Sequence, residues 1–353
     1  MKKSQKCSVG FLIFMVAAVL IAVFPSDSVS QEGPAQFQWR AQDAFAPRTL
    51  NNYSFLKLFA HFVNERSKGR IKITHYDFGS IVQPFDIFDA VARGTVELGT
   101  SCGAYYTQKL PEGDIEYGLP FDGLPLYLYH EMAYEYKSGQ YMKILREVYA
   151  KRGVHYLVVA PTSGYGFMTN FPIRKVEDLK GHKIRTTGTI MIEMMKQLGA
   201  APVAIPGAEM YMALQRKTVD GITLLYYLLE ANKLAEVVKY VTLPDIYETC
   251  SLNLLMNLEA YNKLPDDLKK LVDDTAEEVT YKYLMYSLKG STEVVLEWAK
   301  RQHGLQVTTL ADEEAAKMRN IVRPLYKQIL KTPAAEQLYS IRETFLKEKK
   351  IWK

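Results

Sequence analysis

The sequence has few cysteines and lacks several short motifs that mark common catalytic and metal sites. Only 3 of its 353 residues are cysteine, too few for a fold held together by disulfides. It contains no HExxH, GxxxxGK[ST] or GxGxxG segment, and its 6 histidines form no pair at metal-ligand spacing. These absences give no support to a zinc protease or to a protein that binds nucleotides through a glycine-rich loop.

The composition is that of a folded globular protein without a strong bias of charge. Hydrophobic residues make up 48% of the chain, with 21 glycines and 15 prolines, which excludes a disordered or fibrous protein. The net charge of +5 is small, and the basic residues are spread along the chain, so no nucleic-acid partner is expected. The length favours two lobes over a single core.

The N-terminus has the pattern of an export signal. Three lysines precede an uncharged apolar run over residues 9–24, and the small residues Ser28 and Ser30 stand shortly before Gln31. This pattern predicts a signal peptide over residues 1–30, cleaved before Gln31, and a periplasmic location. An uncleaved membrane anchor is the alternative, because the apolar run approaches the length of about 18 residues that begins to span a bilayer.

Removal of the signal would leave two cysteines, Cys102 and Cys250. The remaining chain would carry 41 basic and 38 acidic residues, a net charge of +3. An exported protein can form a disulfide, but two cysteines this far apart in sequence are more often unpaired. Their pairing stays open at this stage.

Short strand patterns alternate with amphipathic helix patterns, which is typical of an α/β fold. Strands are predicted over residues 37–41, 71–76, 96–100, 154–159, 164–168, 183–185, 219–223 and 252–257. Helices are predicted over residues 51–67, 85–93, 190–198 and 209–216. From Pro265 to Gly304 a helical stripe is interrupted only at Gly290, and a continuous helix of that length would brace two lobes.

Several segments of the sequence, taken together, carry a family likeness. The most specific is VEDLKGHKIR at residues 176–185, and the others are residues 59–73, 88–99, 198–203, 209–221 and 264–268. In their order and spacing these segments resemble the solute-binding receptors of TRAP (tripartite ATP-independent periplasmic) transporters, the dicarboxylate-receptor or DctP-type family, in which DLKGxKIR is the segment similar to the first. The resemblance covers nearly the whole chain after the predicted signal.

The resemblance implies a two-lobed α/β fold like that of the type II periplasmic binding proteins, with hinge strands and a long helix bracing both lobes. It implies lobe I at residues 31–162 plus 251–290 and lobe II at residues 163–250 plus 291–353. The implied function is a receptor that encloses an organic carboxylate and delivers it to the membrane subunits of a TRAP permease. A monomer without catalytic activity, cofactor or metal is expected.

Arg185 is the leading candidate for contact with the ligand. It ends a predicted strand just before a glycine turn, and a guanidinium there can hold a carboxylate through two parallel hydrogen bonds. Many relatives have a second arginine at the position aligned with Phe171, and a glutamate in the segment aligned with Thr223. These departures argue against a second ligand charge and against metal-assisted binding. A shifted alignment would bring Arg174 or Arg216 to the second position.

Aromatic residues near the ends of predicted strands are the other candidates for ligand contact. They are Phe45, Tyr105, Tyr106, Phe171 and Tyr226, with Thr223 between them in the aligned site and Trp39 as a weaker candidate. Aromatic faces pack against flat apolar ligands, so a monocarboxylate with an aromatic or apolar body is expected. The alternative is that these side chains are ordinary core packing.

Two other functions stay open from the sequence. The same fold could present a ligand to a sensor kinase rather than to a permease. An exported enzyme that uses Cys102 is the second alternative, although it would need a histidine beside the thiol.

Overall fold

The computed structural model describes residues 35–45, 54–205, 209–289 and 292–352. The predicted signal peptide and its cleavage site lie outside these residues. Within the described ranges, no helix combines the length and the apolar character that crossing a bilayer requires.

The described chain is a mixture of strands and helices. The strands are β1 (Phe37–Gln42), β2 (Ile71–Tyr76), β3 (Leu98–Ser101), β4 (Val154–Thr169), β5 (Lys183–Arg185), β6 (Ala201–Val203), β7 (Gly221–Leu225), β8 (Tyr240–Asn257) and β9 (Gln306–Thr309). The helices are α1 (Phe55–Arg66), α2 (Ile87–Ala92), α3 (Glu112–Tyr117), α4 (Leu126–His130), α5 (Gln140–Ala150), α6 (Thr189–Gln197), α7 (Met210–Gln215), α8 (Leu228–Ala231), α9 (Leu258–Asn262), α10 (Asp266–Lys289), α11 (Thr292–His303), α12 (Asp312–Ile329) and α13 (Pro333–Glu348).

These strands form one mixed sheet in the order β2-β1-β3-β8-β4-β7-β5-β6, with β9 beside β8. β1 runs parallel to β2 and β3, while β5 runs parallel to β6 and β7. Helices connect most of these parallel neighbours, as parallel pairing requires. β8 is antiparallel to β3 and β4, and β4 is also antiparallel to β7.

Strands β4 and β8 run through the whole sheet as an antiparallel pair. Residues 154–160 and 252–257 of the pair lie with β1, β2 and β3, which together form the first half of the sheet. Residues 165–169 and 240–247 lie with β5, β6, β7 and β9, which form the second half. An irregularity in the β4–β8 pairing between Tyr165 and Phe167 marks the beginning of the second half.

Local sequence explains how the first half is built. Ser54 caps α1 by accepting a hydrogen bond from the backbone N–H of Lys57 at 3.0 Å. Phe55, Phe59 and Val63 then bury one face of the helix, because residues three and four apart lie on the same side. The packed helix carries the chain back so that β2 can align parallel to β1.

The long helices pack on both halves. α10 contacts α1 and β4, whereas α11 contacts α8 and α12 contacts α6. α13 returns to pack against α3 and α5. The junction between α10 and α11 at residues 290–291 lies outside the described residues, so the predicted continuous helix stays a prediction.

The predicted α/β class is confirmed, with differences in detail. The two strands predicted at 154–159 and 164–168 are one strand, β4, and the strand predicted at 252–257 is the end of the longer β8. The lobe boundaries predicted from the resemblance stay predictions.

Candidate functional site

A cavity of about 260 Å³ lies between the two halves of the sheet. Its walls come from segments at or after the carboxyl ends of strands: Phe45 after β1, Tyr105 after β3, Arg185 in β5 and Leu228 after β7. This is the usual place for a ligand site in an α/β sheet. The described residues that line the cavity are Ala44, Phe45, Phe78, Cys102, Tyr105, Tyr117, Tyr165, Arg185, Thr187, Met210, Tyr211, Leu224, Leu225, Leu228, Asn232 and Leu252.

Arg185 is the one charged side chain among the described residues that line this cavity. It is 1% exposed, and its Nε donates to the carbonyl oxygen of Ile205 at 3.2 Å. Its Nη2 has no hydrogen-bond partner among the described residues. A buried guanidinium nitrogen without a partner is costly, so this atom is suited to receive an anionic acceptor.

An aromatic wall from the first half stands beside the arginine. The Tyr105 ring lies 4.5 Å from the ring of Phe85 and 5.6 Å from that of Phe45, measured between centroids. Burial raises the pKa of Tyr105, and the nearby Arg185 guanidinium opposes that rise by interacting with the hydroxyl. The phenol therefore stays protonated at neutral pH and can add a hydrogen bond beside the arginine.

A chain of hydroxyl groups supports the cavity from the second half. The Tyr165 hydroxyl donates to Thr223 Oγ1 at 2.9 Å, and Thr223 donates to Thr186 Oγ1 at 2.8 Å. Burial raises the pKa of Tyr165 to about 12, so this phenol remains a donor. Tyr165 lines the cavity, whereas the predicted Thr223 does not and is hydrogen-bonded to Tyr165 and to Thr186, the residue after Arg185.

The structure brings together three of the predicted site residues, Arg185, Tyr105 and Phe45, in one cavity. It places Tyr106 apart from them, in the core of the first half. The Tyr106 hydroxyl accepts from Asn253 Nδ2 at 2.7 Å and is hydrogen-bonded to that of Tyr149 at 2.9 Å. Adjacent residues on the turn after β3 therefore point to different environments.

Phe171 and Tyr226 are also absent from the described lining. Phe171 stacks on the ring of His182, with centroids 3.6 Å apart and an interplanar angle of 10°. Tyr226 packs over Gly166, where an added Cβ would lie 2.0 Å from the Tyr226 hydroxyl oxygen. The glycine thus makes room for a packing tyrosine, and neither aromatic ring is available to a ligand in the cavity.

The remaining candidates lie elsewhere. Trp39 is buried against Phe37 in β1 and does not line the cavity. Arg174 and Arg216 are exposed and are not part of the lining either. No second arginine therefore joins Arg185 among the described residues of the cavity.

Sequence reasoning missed three tyrosines of the cavity, and one of them, Tyr211, lies on α7. Tyr165 lies inside β4, and Tyr117 ends α3, a helix whose six residues are all buried. Neither position shows a pattern that separates a ligand-facing ring from a core ring. The position of Tyr165 beside Gly164 and Gly166 was the only local signal, since glycines often mark a bend in a strand.

Cys102 lines the cavity, and both Cys102 and Cys250 are buried and unpaired. Burial raises the pKa of the Cys102 thiol well above its ordinary value, which disfavours the nucleophilic thiolate. Residues 99–103 have the GxSxG spacing of hydrolase nucleophiles, yet Ser101 lies fully buried within β3. No histidine is present in the described lining to activate either group.

The residues that line the cavity do not suit a calcium or magnesium ion. Such ions prefer several oxygen ligands, including carboxylates, and no Asp or Glu is among the described lining residues. Over the whole described chain, no group of three or more His, Cys, Asp or Glu side chains is arranged to hold a metal.

Comparison with known proteins gives consistent matches. The model of bacterial extracellular solute-binding protein family 7 (DctP) matches residues 44–332. A monocarboxylate 2-oxoacid-binding periplasmic protein of Nostoc sp. is 28% identical over 274 residues, which cover 77% of this chain and 74% of that one.

Solved structures extend the comparison to the fold. A TRAP periplasmic solute-binding protein of Desulfovibrio salexigens with bound orotic acid has 26% identity and a TM-score of 0.77, covering 87% of this chain and 98% of that one. A similar protein of Colwellia psychrerythraea with bound calcium and pyruvate has 24% identity and a TM-score of 0.80, covering 90% and 96%.

Proposed function

Since the chain belongs to family 7 of the bacterial extracellular solute-binding proteins (DctP), we propose that it encloses a small organic carboxylate between the two halves of its sheet. In this proposal it is exported to the periplasm, acts as a monomer and hands its ligand to the membrane subunits of a TRAP permease. The cavity of about 260 Å³ is near the small end of the range for ligand sites, which suits a small solute.

The observation that carries the proposal is the state of Arg185. Its guanidinium is buried in the cavity with Nη2 unpartnered among the described residues, and no carboxylate stands in the lining beside it. A ligand carboxylate would supply the missing acceptor and a compensating charge. The Tyr105 hydroxyl stands close enough to Arg185 to contact the same group.

The rest of the lining favours a monocarboxylate with an aromatic or branched apolar body. Leucines and a methionine of the second half face the aromatic wall of the first half. The second charge of a dicarboxylate would be buried against these apolar groups, at a cost of several kcal/mol when it is unpaired. The Nostoc relative named for monocarboxylate 2-oxoacids and the neighbour with bound orotic acid support this choice.

A thermal-shift comparison tests the ligand class. Benzoate and 4-methyl-2-oxopentanoate should raise the unfolding temperature of the purified protein more than succinate, malate or sialic acid do. Arg185→Met is the matched control, because it keeps the volume of the side chain and removes its charge. The stabilisation should disappear in that variant.

The alternative outcomes are informative. If succinate or malate raises the unfolding temperature most, the monocarboxylate proposal is contradicted and a second cation must lie near the cavity. Native mass spectrometry of the freshly purified protein would identify a retained ligand directly. A shift that survives in Arg185→Met would contradict the role given to the arginine.

Export and delivery need separate measurements. Mass analysis of the protein from the periplasm should give a chain that begins at Gln31, and an intact N-terminus would support a membrane anchor. Genes for the small and large TRAP membrane subunits beside this one would favour transport, whereas a sensor kinase gene would favour ligand presentation. Size-exclusion chromatography with light scattering tests the expected monomer.

A further inference from the structure

The turn that follows Arg185 packs against a segment of the first half. Gly188 in this turn has a φ of +89°, and an added Cβ would lie 2.9 Å from Asp114 Oδ1 and 3.5 Å from the Cβ of Ala104. At the same place Thr189 Oγ1 donates to Thr107 Oγ1 at 2.8 Å. The segment that carries the arginine is therefore in direct contact with the opposite half.

Asp114 is the centre of this contact. It lies on α3, which is tied to the first half because the carboxylate of Glu116 accepts hydrogen bonds from Tyr156, Ser251 and Asn253. The backbone N–H groups of Thr189 and Ile190, at the start of α6 in the second half, lie near enough to Asp114 to favour its charged form. One carboxylate thus joins the two halves next to the ligand-binding arginine.

The Asp114 carboxyl group is in an unusual environment for a charged group. It is 5% exposed, and its Oδ2 has no hydrogen-bond partner among the described residues. Burial raises its pKa to about 7, although the backbone N–H groups of Ile190 and Thr189 act in the opposite direction. The contact therefore accommodates a protonated carboxyl group near neutral pH.

We propose that Asp114 is a positioning residue of the ligand site, which holds the turn after Arg185 and couples enclosure of the ligand to uptake of one proton. The inference rests on the proposed function, because this contact bears on binding only if a ligand is enclosed by both halves. The proposed role does not require Asp114 to line the cavity or to contact the ligand.

The direction of the pH effect follows from linkage. When the halves separate, water reaches the Asp114 carboxyl group and its pKa returns toward the ordinary range for aspartate. Enclosure then raises the pKa, so protons favour the enclosed, ligand-bound form. The affinity should be highest below the ordinary aspartate pKa, fall as the pH rises toward the raised pKa and level off above it, with a fall of about tenfold between about pH 6 and about pH 8.

The other titratable groups near Asp114 determine which variant serves as the control for the pH experiment. Tyr247 of β8 faces it from another element, but its own pKa is raised well above neutrality and it does not titrate in this range. On α3 itself, Glu112 is hydrogen-bonded to Thr332, and burial raises the pKa of Glu116 to about 7 as well. Within the described chain Glu116 makes no hydrogen bond to α6, so Glu116→Gln is the matched comparison.

Calorimetric titration with 4-methyl-2-oxopentanoate at several pH values tests the coupling. This probe keeps its single negative charge across the range. The wild type and Glu116→Gln should bind about tenfold more tightly at about pH 6 than at about pH 8, while Asp114→Asn should change by less than about twofold. An unchanged pH dependence in Asp114→Asn, or its loss in Glu116→Gln instead, would overturn the assignment.

A second measurement does not depend on a variant that folds. The carboxyl carbon signal of Asp114, followed by NMR in wild-type protein labelled with ¹³C-aspartate, should titrate with a midpoint near the raised pKa of about 7 when the protein is saturated with the probe, and at a lower pH without it. A midpoint in the ordinary aspartate range in the saturated protein would overturn the inference. Failure of the probe to bind at every pH would contradict the proposed ligand class, and the same titration with the ligand identified by native mass spectrometry would then decide the role of Asp114.

Discussion

Two buried arginines of this protein have opposite surroundings. Arg342 of α13 is 0% exposed and its Nε donates to the buried carboxylate of Asp122. Arg185 is 1% exposed, yet its neighbours in the cavity include no carboxylate among the described residues. Both arginines keep buried Nη atoms without a hydrogen-bond partner among the described residues, so the difference lies in the carboxylate. The first arginine has its counter-charge within the chain, and the second has a place for an anion from outside.

The difference shows how burial and pairing together distinguish a structural charge from a binding charge. Removing a charged group from water costs free energy that a partner must offset. Asp122 offsets that cost for Arg342 without any ligand. For Arg185 the compensating charge would come only with the ligand. Replacing Arg342 should therefore lower stability, whereas replacing Arg185 should mainly lower the affinity for the ligand.

The largest expected effect is on stability, from Arg342→Met. The change leaves the Asp122 carboxylate buried without its partner, and we expect a loss of about 3–5 kcal/mol in the free energy of unfolding. Denaturation with urea measures it. The double variant Arg342→Met/Asp122→Leu removes both charges and should recover most of the lost stability. If it is as unstable as Arg342→Met, the unpaired Asp122 charge is not the cause of the loss.

The next effect is on affinity, from Arg185→Ala. We expect ligand binding to weaken by at least about 2 kcal/mol, because a desolvated carboxylate is left unpaired. The free energy of unfolding without ligand should fall far less than in the Arg342 variant. Calorimetry with a ligand found in the thermal-shift comparison checks the affinity, and wild-type affinity in Arg185→Ala would contradict the assignment.

Adjacent tyrosines repeat the comparison on a smaller scale. Tyr105→Phe keeps the ring beside Phe45 and removes the hydroxyl near Arg185, so it should weaken binding by about 1 kcal/mol with little effect on stability. Tyr106→Phe is the matched control. It removes the hydroxyl that accepts from Asn253 and is hydrogen-bonded to Tyr149 in the core, and it should lower stability by about 1–3 kcal/mol while affinity is retained. The opposite pattern would show that the two positions are misassigned.

The alternation of strands and helices was predictable because most elements bury only one face. The exceptions are instructive. The six residues of α3 are all buried, so they show no amphipathic stripe. The first part of β8 contains Pro244 with Asp245 and Glu248, residues that are uncommon in strands, and the sequence pattern therefore indicated a strand only from residue 252.

The candidate site was predictable only in part. Arg185 was found because a family-like segment places it at the end of a short strand. The direction of each aromatic ring was not predictable, since Tyr105 and Tyr106 are neighbours on one turn and yet line the cavity and the core respectively. The position of Tyr226 outside the described lining was not predictable for a related reason, because its place over Gly166 depends on a contact between distant parts of the chain.

The smallest expected effect concerns the hydroxyl groups beneath the cavity. Thr223→Val keeps the shape of the side chain but removes the acceptor of the Tyr165 hydroxyl and the donor to Thr186. We expect a loss of about 1 kcal/mol in stability and a smaller loss of affinity, because Tyr165 keeps its place in the wall but not the fixed direction of its hydroxyl. A double-mutant cycle with Tyr165→Phe measures the coupling by urea denaturation and calorimetry. If the two residues act through their hydrogen bond, the double variant should lose less stability and affinity than the sum of the single variants. Strictly additive losses would show that Thr223 does not affect the cavity through Tyr165.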